Sequence, residues 1–473
     1  MSAPLILATN SIKDTGYNVA NSLIFNDGDS PQLTRSNSSD GNLKNWTFSV
    51  WVKRSSGGAT KRLLHCRNSG GSQFASIFFN SSDQLEYSSS DGSNSDNLVT
   101  NRVFRDFSAW YNIVVVWDSD NSTASDRIKF FVNGTRETSF ATSDFPALNQ
   151  ESMMSKGTAA STIGLGFQSV ANSEHFDGYM CEAVFLDGTA STDASEFGEF
   201  NEDSPTIWQP IDVSGLTFGS HGYYLDFEDS SALGDDVSGN NNDFTPSNLA
   251  ATDQSTDTCT NNFATVNALD PSAGTLAEGN LRLSASTSPR GTFGFSQGKW
   301  YWEIKLITQI NDQQAVGICN ETFTTSTEIG TDANSWSYII QSNANNGQTN
   351  HNGSLTQFAT LSANDIINVA VDMDNQAIYF GKNGTYQNSG NPASGSSKTG
   401  AIYTNLPTSG LIFPCFRSTT KSGTDGVIEV NFGNPPFSIS SGNADGEGFG
   451  NFEYAVPSGY FALCSKNLSE YGG

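Results

Sequence analysis

Apolar and polar residues alternate along much of this sequence, and the alternation predicts β-strands. The segment 46–53 has apolar residues at every second position, Phe48, Val50 and Val52. A period of two places these side chains on one face of a strand. The segment 110–117 is apolar at almost every position, which is typical of a central strand that is covered on both faces.

The two halves of the chain repeat one order of elements. The order is strand, acidic turn, strand and Asn-Gly turn, and it occurs at 114–117, 118–121, 128–132 and 133–134, and again at 367–371, 372–375, 377–380 and 383–384. Asn-Gly favours a hairpin turn because both turn positions accept a positive φ. The repeat predicts an all-β protein made of two consecutive antiparallel β-sandwiches.

Local composition suggests where the domains end. Residues 229–262 are rich in Asp, Asn, Ser, Thr and Gly and lack apolar periodicity, so we expect a polar linker there. The first sandwich is then 20–228 and the second is 263–473. Residues 1–19 are either an anchoring arm or a terminal strand. One helix is predicted, over 192–202.

Composition and charge exclude some classes of partner. The net charge of -26 opposes binding to nucleic acid, because phosphate contacts require clustered Lys and Arg. No segment approaches the roughly 20 apolar residues that span a bilayer, so no membrane insertion is expected. The opening residues 1–8 lack a basic leader. We therefore expect a protein made in a cytoplasm.

The six cysteines are far apart in the sequence and form no Cys-x-x-Cys pair. We expect free thiols packed as small hydrophobic side chains, rather than disulfides or metal ligands. The cysteines are Cys66, Cys181, Cys259, Cys319, Cys415 and Cys464.

A series of motifs in the first half points to a known fold. The motifs are 22–26, 48–53, 110–113, 131–134, 176–179 and 182–185. Their order resembles that of a laminin-G-like or concanavalin-type jelly-roll domain. The resemblance covers most of residues 20–228 and implies an antiparallel sandwich that binds ligands through loops.

A second series of motifs lies in the second half and is more specific. It comprises 298–304, 315–318, 365–372, 380–384 and 430–433. These motifs resemble a SPRY domain, itself a concanavalin-like sandwich. One departure is Asn364, where a Gly commonly precedes the Asp. The resemblance spans about 280–465 and implies a binding module.

The pairing of the two domains is similar to proteins of tailed phages of marine bacteria. The segments 17–53 and 236–246 carry this similarity. It implies a virion appendage, a tail fibre or a capsid decoration. A shared fold does not fix function, so this is an expectation about context.

The sequence favours binding over catalysis, and we predict no catalytic residues. Glu196, Glu199 and Glu202 form the densest carboxylate cluster, but their spacing of three fits a solvated helix edge better than a catalytic pair across a sugar. The four histidines lack the spacing of zinc ligands. No cofactor is required by this interpretation.

Calcium is left open as a ligand. Asp118, Asp120 and Asp126 resemble positions 1, 3 and 9 of a calcium loop, although Thr123 replaces the usual Gly and Lys129 the usual Glu. The alternative is an acidic, exposed hairpin. The pair Asp236 and Asp243 is a second candidate, with a flexible turn as its alternative.

Aromatic and amide side chains in the region 332–354 are the candidate ligand-binding residues. They are Trp336, Tyr338, Asn345 and His351, since such side chains meet sugar rings or protein edges. Trp336 and Tyr338 are equally suited to be alternating core residues of a strand.

The resulting hypothesis is a phage virion surface protein for host attachment. Its partners are a host-surface glycan or protein and other virion proteins. The alternatives are a purely structural decoration protein, a carbohydrate-active hydrolase and an intracellular peptide-recognition SPRY module. The chain has no long heptad segment to enforce a trimer, so the sequence leaves a homo-oligomer open.

Overall fold

The structure is a computed structural model, and it describes residues 16–68, 70–157, 162–169, 171–271 and 273–472. Its chain divides into two compact units, the first ending at Thr260 and the second beginning at Asn261. In both units the regular secondary structure is mainly antiparallel strands. The predicted all-β class with two sandwiches is therefore confirmed.

Most of the regular secondary structure of the first unit consists of short and medium-length strands. They are β1 (Ser22–Phe25), β2 (Gln32–Arg35), β3 (Asn45–Arg54), β4 (Lys61–Arg67), β5 (Phe74–Phe79), β6 (Gln84–Ser90), β7 (Ser95–Val103), β8 (Trp110–Asp118), β9 (Ile128–Val132), β10 (Thr135–Arg136), β11 (Phe140–Asp144), β12 (Thr162–Leu165), β13 (Gly178–Asp187), β14 (Gly198–Phe200), β15 (Trp208–Pro210), β16 (Tyr223–Leu225), β17 (Thr245–Ser247) and β18 (Gln254–Ser255). Single 3-10 turns occur at Asp27–Asp29, Ala124–Asp126 and Ala251–Asp253.

Two large sheets form the first sandwich. One has the order β10-β9-β8-β3-β13-β1-β18, with β16 also paired to β13, and the other has the order β11-β7-β6-β5-β4-β12-β2-β17. Inward side chains of both sheets share one buried cluster, in which Trp46 and Phe48 of β3 join Ile77 of β5 and Tyr87 of β6. Trp46 also stacks on Trp117, with ring centroids 6.2 Å apart. This cluster is the core of the sandwich.

The outer face of the first sheet is covered as well. Val114 and Val116 of β8 pack there against Phe197 and Phe218. Both faces of β8 are thus buried, as its continuous apolar run predicts.

The predicted helix at 192–202 is wrong. Gly198–Phe200 is strand β14 and pairs with β15, with Phe200 opposite Trp208. Phe197 is buried in the outer cluster, and the carboxylate of Asp193 accepts a hydrogen bond from the backbone N–H of Ser195, which closes a turn instead of starting a helix. Packing on the sheet therefore overrides the helical spacing.

The segment 229–262 differs from the linker that its composition predicts. Within it, β17 pairs with β2 and β18 pairs with β1, so these residues up to Thr260 belong to the first compact unit. Phe244 is buried and its ring lies edge-on to Tyr223, 4.9 Å away. The strands are too short to produce a periodic signal, so composition alone suggested a linker.

The predicted N-terminal arm, residues 1–19, falls mostly outside the described residues. Val19 is described, and it is buried against Trp51 and Cys181.

The second unit contains the remaining strands and a helix. They are β19 (Thr275–Ala277), β20 (Arg282–Ser284), β21 (Lys299–Thr308), β22 (Gln314–Asn320), β23 (Ser335–Ile339), β24 (Gln348–His351), β25 (Ser354–Gln357), β26 (Ile366–Asp372), β27 (Ala377–Lys382), β28 (Thr385–Tyr386), β29 (Ile412–Ser418), β30 (Thr420–Lys421), β31 (Thr424–Asp425), β32 (Val427–Asn431), β33 (Phe461–Ala462) and α1 (Ser465–Tyr471). Single 3-10 segments occur at Gln387–Ser389 and Pro392–Ser397.

The second sandwich is also built from two sheets. Their orders are β19-β20-β32-β21-β26-β27-β28, with β33 added parallel to β21, and β25-β24-β23-β22-β29. Trp300 and Trp302 of β21 share a buried cluster with Val316 of β22 and Phe416 of β29. The outer face of β21 is covered too, because Tyr301 packs edge-on against Phe452, with ring centroids 5.1 Å apart.

Both predicted Asn-Gly turns are confirmed. Asn133 and Gly134 connect β9 to β10 with φ values of 47° and 74°, and Asn383 and Gly384 connect β27 to β28 with φ values of 49° and 80°. Positive φ at both positions is the geometry that this residue pair favours in tight hairpins.

In the described part of the chain, no helix is long and apolar enough to cross a membrane.

Candidate functional site

A polar surface cavity lies at one edge of the first sandwich. One wall is the end of β2 and the segment 36–39 that follows it, and the other is formed by 220–221 and 241–245. Its volume is about 430 Å³, within the range of sites for small molecules. The lining carries hydroxyl, amide and charged groups, on Thr34, Arg35, Ser36, Asn37, Ser38, Ser39, Ser220, His221, Asn241, Asn242, Asp243 and Thr245. We call it the polar cavity.

Sheet pairing fixes the first wall. β2 lies between β12 and β17, with Arg35 opposite Ile163 and Thr34 opposite Thr245. A strand held on both sides has little freedom to shift, so its last side chains have defined positions. Arg35 is one of these, and its Nη1 donates a 3.0 Å hydrogen bond to the backbone carbonyl of His221 on the opposite wall.

Asp187, at the end of β13, organises the second wall. Its carboxylate accepts hydrogen bonds from the Ser220 hydroxyl and from the backbone N–H of His221, both at 3.3 Å. The Ser220 hydroxyl also lies 2.9 Å from His221 Nδ1. His221 Nδ1 also lies 3.5 Å from Oδ2 of Asp187, so Ser220, His221 and Asp187 form one polar cluster in this wall.

The turn 236–243 completes the second wall. Asp236 accepts hydrogen bonds from the backbone N–H groups of Tyr224, Ser238 and Asn242, at 2.9, 3.0 and 2.8 Å. Asn242 in turn donates from Nδ2 to the carbonyl oxygens of Ser220 and Gly222, at 3.1 and 2.7 Å. The turn is therefore a rigid element.

One cationic side chain of the cavity, Arg35, lies near three carboxylates without pairing with them. Burial lowers the pKa of Arg35, while the nearby charges of Asp236, Asp187 and Asp243 act in the opposite direction. None of these carboxylates forms a direct ion pair with Arg35 among the described residues. One N–H group of the guanidinium donates to the carbonyl of His221, and the others remain as donors for a ligand.

Acceptors are also available in the lining. Asp243 Oδ1 accepts from the backbone N–H of Asp236 at 3.0 Å, which leaves Oδ2 without a partner among the described residues. Asn37 is 5% exposed, and its Oδ1 makes no hydrogen bond in the described part of the chain but is itself buried, so it is not accessible to a ligand. The first wall thus offers the donors of Arg35 and the second wall offers the acceptor of Asp243. A polyhydroxylated ligand requires both kinds of group.

A second surface cavity in the first unit, of about 470 Å³, is less suited to a polar ligand. Its lining includes Leu148, whose side chain is 53% exposed, and Met153. Its charged groups are already engaged, because Lys156 pairs with Glu151 at 3.0 Å and Asp91 accepts from the backbone of its own turn. We therefore take the polar cavity as the candidate site.

The predicted ligand-binding residues lie elsewhere, in the second unit. Trp336 and Tyr338 are 3% and 0% exposed and belong to its core, the alternative that the sequence left open. His351 is half-buried and stacks on Trp336 with ring centroids 4.7 Å apart, while Asn345 is exposed in the loop before β24. Two of the four therefore build the sandwich, and the set does not form one surface.

The predicted calcium residues each have a partner of another kind. Asp118 accepts from Asn121 Nδ2 at 2.9 Å, Asp120 accepts from Asn45 Nδ2 at 3.3 Å, and Asp126 pairs with Arg136 at 2.6 Å. No group of three acidic, His or Cys side chains suited to a metal ion occurs among the described residues.

The second calcium candidate, Asp236 and Asp243, organises a turn instead. Both carboxylate oxygens of Asp236 and Oδ1 of Asp243 accept hydrogen bonds from backbone N–H groups, as described above for the turn 236–243. The carboxylates at Glu196 and Glu199 accept hydrogen bonds from Ser191 and Gln209.

Sequence reasoning missed the polar cavity because its walls come from distant segments. Arg35 and His221 are 186 residues apart, and no local motif joins them. Two signals were present. One is the polar run 36–39, and the other is the acidic, Asn-rich turn 236–243, which was noted as a metal candidate.

Comparisons with known proteins agree with this architecture. A family model described as the concanavalin A-like lectin/glucanases superfamily matches residues 26–194, and a model of the SPRY domain matches residues 299–434. The polar cavity's first wall lies within the former match, and its second wall follows it in sequence. No curated protein matches the chain.

Several solved structures are similar to parts of the chain. The SPRY domain of human HERC1 is 19% identical, with 32% of this chain and 87% of that one covered and a TM-score of 0.24. The TRIM65 PSpry domain is 15% identical, with 36% and 91% covered and a TM-score of 0.27. The native heptameric SAP-like pentraxin from Limulus polyphemus is 15% identical, with 37% and 80% covered and a TM-score of 0.28. On the family models, the chain contains a concanavalin A-like domain followed by a SPRY domain.

Proposed function

We propose that this chain is a non-catalytic binding protein of a phage virion surface, a tail fibre, appendage or capsid decoration, and that it attaches to a host-surface glycan. The observation that carries the glycan part is the polar cavity of the concanavalin A-like domain. A neighbouring virion protein is the alternative ligand. The concanavalin A-like and SPRY domains suggest binding or protein-interaction roles, which supports a role in recognition.

The cavity's chemistry favours a neutral saccharide. Vicinal sugar hydroxyls both donate and accept hydrogen bonds, and Arg35 supplies donors while Asp243 supplies an acceptor. An anionic sugar would be repelled by the carboxylates of Asp187 and Asp236 behind these walls. The protein's net charge of -26 would add to this repulsion. An apolar ligand would leave the polar lining desolvated and unpaired.

The proposal of no catalysis rests on the carboxylates of the cavity. Glycoside hydrolysis uses two carboxyl groups about 5 to 9.5 Å apart on either side of the scissile bond. Among the described residues that line the cavity, Asp243 alone carries a carboxylate. Asp187 lies behind His221 and Ser220 and accepts a hydrogen bond from each. This arrangement suits binding without bond cleavage.

The virion context is supported by the pairing of domains and by composition. The order of a concanavalin A-like domain and a SPRY domain is the one that resembles phage appendages. The acidic composition, with a net charge of -26, suits display at high density on a particle.

Glycan binding is tested with the full chain on a panel of immobilised oligosaccharides. The panel holds neutral, uronic-acid-containing and sulfated members. We expect binding to one or more neutral oligosaccharides, and weaker binding by Asp243→Asn, which keeps the hydrogen bond from Asp236 but loses the carboxylate. Asp235→Asn, on an exposed neighbour, is the matched control. Binding only to anionic members, or to none, would contradict the proposal.

The virion role is tested separately, by labelling intact particles with an antibody against residues 280–465. Electron microscopy should show label at fixed positions on the particle. Label that is absent from particles, with the protein found only free in the lysate, would contradict the virion role. Label on particles without any glycan binding would favour a purely structural decoration protein.

A further inference from the structure

Two cysteines of the first unit lie side by side although they are distant in sequence. Cys181 is in β13 and Cys259 is in the turn that follows β18, and their Sγ atoms are 3.6 Å apart. The two residues are separated by 78 positions. Such an approach of two thiols is a specific feature of the fold.

The surroundings hold both thiols in place. Cys181 is fully buried in a small cluster with Val19 and Trp51, and Cys259 packs against this cluster while remaining partly exposed. β13 bulges directly after Cys181, where Glu182 has a φ of 50° and the pairing with β3 shifts. A bulge re-aims the side chains next to it, here at a position beside Cys259.

We propose that Cys181 and Cys259 are a disulfide-forming pair that fastens the end of the first unit to the middle of its sheet. A disulfide requires an Sγ–Sγ bond of about 2.05 Å, so the two sulfur atoms must close by roughly 1.5 Å. Cys259 lies in a turn rather than in a paired strand, so its side chain and backbone can supply that movement.

The chemistry is thiol–disulfide exchange with a small-molecule disulfide. The thiolate of Cys259, the more exposed partner, attacks one sulfur of that molecule and releases one thiol. The thiolate of Cys181 then displaces the second thiol and forms the protein disulfide. Two protons pass from the cysteines to the released thiols, and the two electrons that leave the cysteine sulfurs reduce the small-molecule disulfide.

The other cysteines differ from this pair. Cys66 and Cys464 lie in clusters that contain no second cysteine. Cys319 and Cys415 share a cluster in the second unit, but both are fully buried, and Cys415 donates its S–H to the carbonyl of Ser288 at 3.5 Å. Cys259 is the one described cysteine that is not classed as buried, although burial and the neighbouring Cys181 raise the pKa of its thiol.

Peptide mapping tests the proposal on the full chain. The folded protein is incubated with oxidised glutathione, its remaining thiols are alkylated after unfolding, and the digest is analysed by mass spectrometry. We expect a linked pair of peptides containing Cys181 and Cys259, two mass units below the sum of the reduced peptides. Recovery of both peptides only in alkylated or singly glutathionylated form would overturn the proposal.

Variants and a melting experiment separate this bond from other effects. Cys259→Ser should abolish the linked peptide, while Cys66→Ala, which removes a thiol without a cysteine neighbour, should leave it. Oxidation should raise the melting temperature of the first unit by roughly 5–10 °C, because the bond closes a long loop in the unfolded chain. An equal rise in Cys259→Ser would contradict the assignment.

Discussion

The guanidinium of Arg35 donates from Nη1 to the backbone carbonyl of His221, at 3.0 Å, and so joins the two walls of the polar cavity. The hydrogen bond uses one of the five N–H groups of the side chain. Arg35 therefore both holds the cavity together and presents donors to its interior. Lysine would place a compact ammonium there instead of this planar fork of donors.

The carboxylate of Asp236 should matter more for stability than its neighbour Asp235. Asp236→Ala removes an acceptor for three backbone N–H groups, and we expect it to lower the free energy of unfolding of the first unit by about 3 kcal/mol. Asp235→Ala, at an exposed position, should change it by less than about 0.5 kcal/mol. Urea denaturation measures both. Equal effects would show that the turn does not depend on Asp236.

Calcium should not stabilise the protein through the turn 118–126. Asp118, Asp120 and Asp126 have separate partners, so an ion would have to break three existing interactions. We expect the melting temperature to shift by less than about 1 °C between EDTA and excess calcium, because only an ion that binds the folded state adds stability. A rise that disappears in Asp120→Asn would instead establish a calcium site there.

The carboxyl group of Glu182 should make the first unit less stable as the pH rises. Burial raises the pKa of Glu182 to about 8, although Tyr224 donates a 2.8 Å hydrogen bond to it. A folded-state pKa above the unfolded value means that stability is highest below pH 4.5 and falls as the pH rises through 8. In the unmodified protein, Glu182 should lower the free energy of unfolding by about 3 kcal/mol between pH 5 and pH 8, and Glu182→Gln should abolish this decrease.

Urea denaturation at the two pH values measures this difference. The comparison with the variant matters because the net charge of -26 also weakens the folded state at high pH, and it does so in both proteins. The same pH dependence in both would contradict a buried, neutral Glu182.

The aromatic residues of β23 should act on folding rather than on binding. Trp336→Ala removes a core side chain, and we expect it to cost about 3–5 kcal/mol of the second unit's stability. Asn345→Ala, at an exposed position, should cost less than about 0.5 kcal/mol. Calorimetric melting of the full chain measures both. Loss of oligosaccharide binding in Asn345→Ala would move the candidate site to the second unit.

The parts of the fold that sequence predicts well are those with a strong local pattern. Alternation in β3, the apolar run of β8 and the Asn-Gly turns after β9 and β27 all appear where they were expected. The helix over 192–202 was wrong because the i, i+3 spacing of Phe197 and Phe200 also fits a buried turn followed by a short strand. Short edge strands such as β17 have too few residues to show an alternation of apolar and polar positions.

The candidate site was harder to predict than the fold. Trp336 and Tyr338 were the most prominent aromatic residues of a loop-rich region, but aromatic residues that alternate along a strand belong as readily to a core. The polar cavity, in contrast, is made of Ser, Asn and Thr residues, which are common throughout the chain. Only the pairing of β2 with β17 shows that the segments around Arg35 and Asp243 meet.

The most direct test of the account is a calorimetric titration of the full chain with the neutral oligosaccharide that binds best on the panel. We expect Arg35→Gln to weaken binding at least tenfold, about 1.4 kcal/mol, since the ligand loses a charged donor. Arg136→Gln, which removes an exposed arginine on β10, should bind like the unmodified protein, and both variants should melt as single folded species. Unchanged affinity in a folded Arg35→Gln would contradict the assignment of the polar cavity as the glycan site.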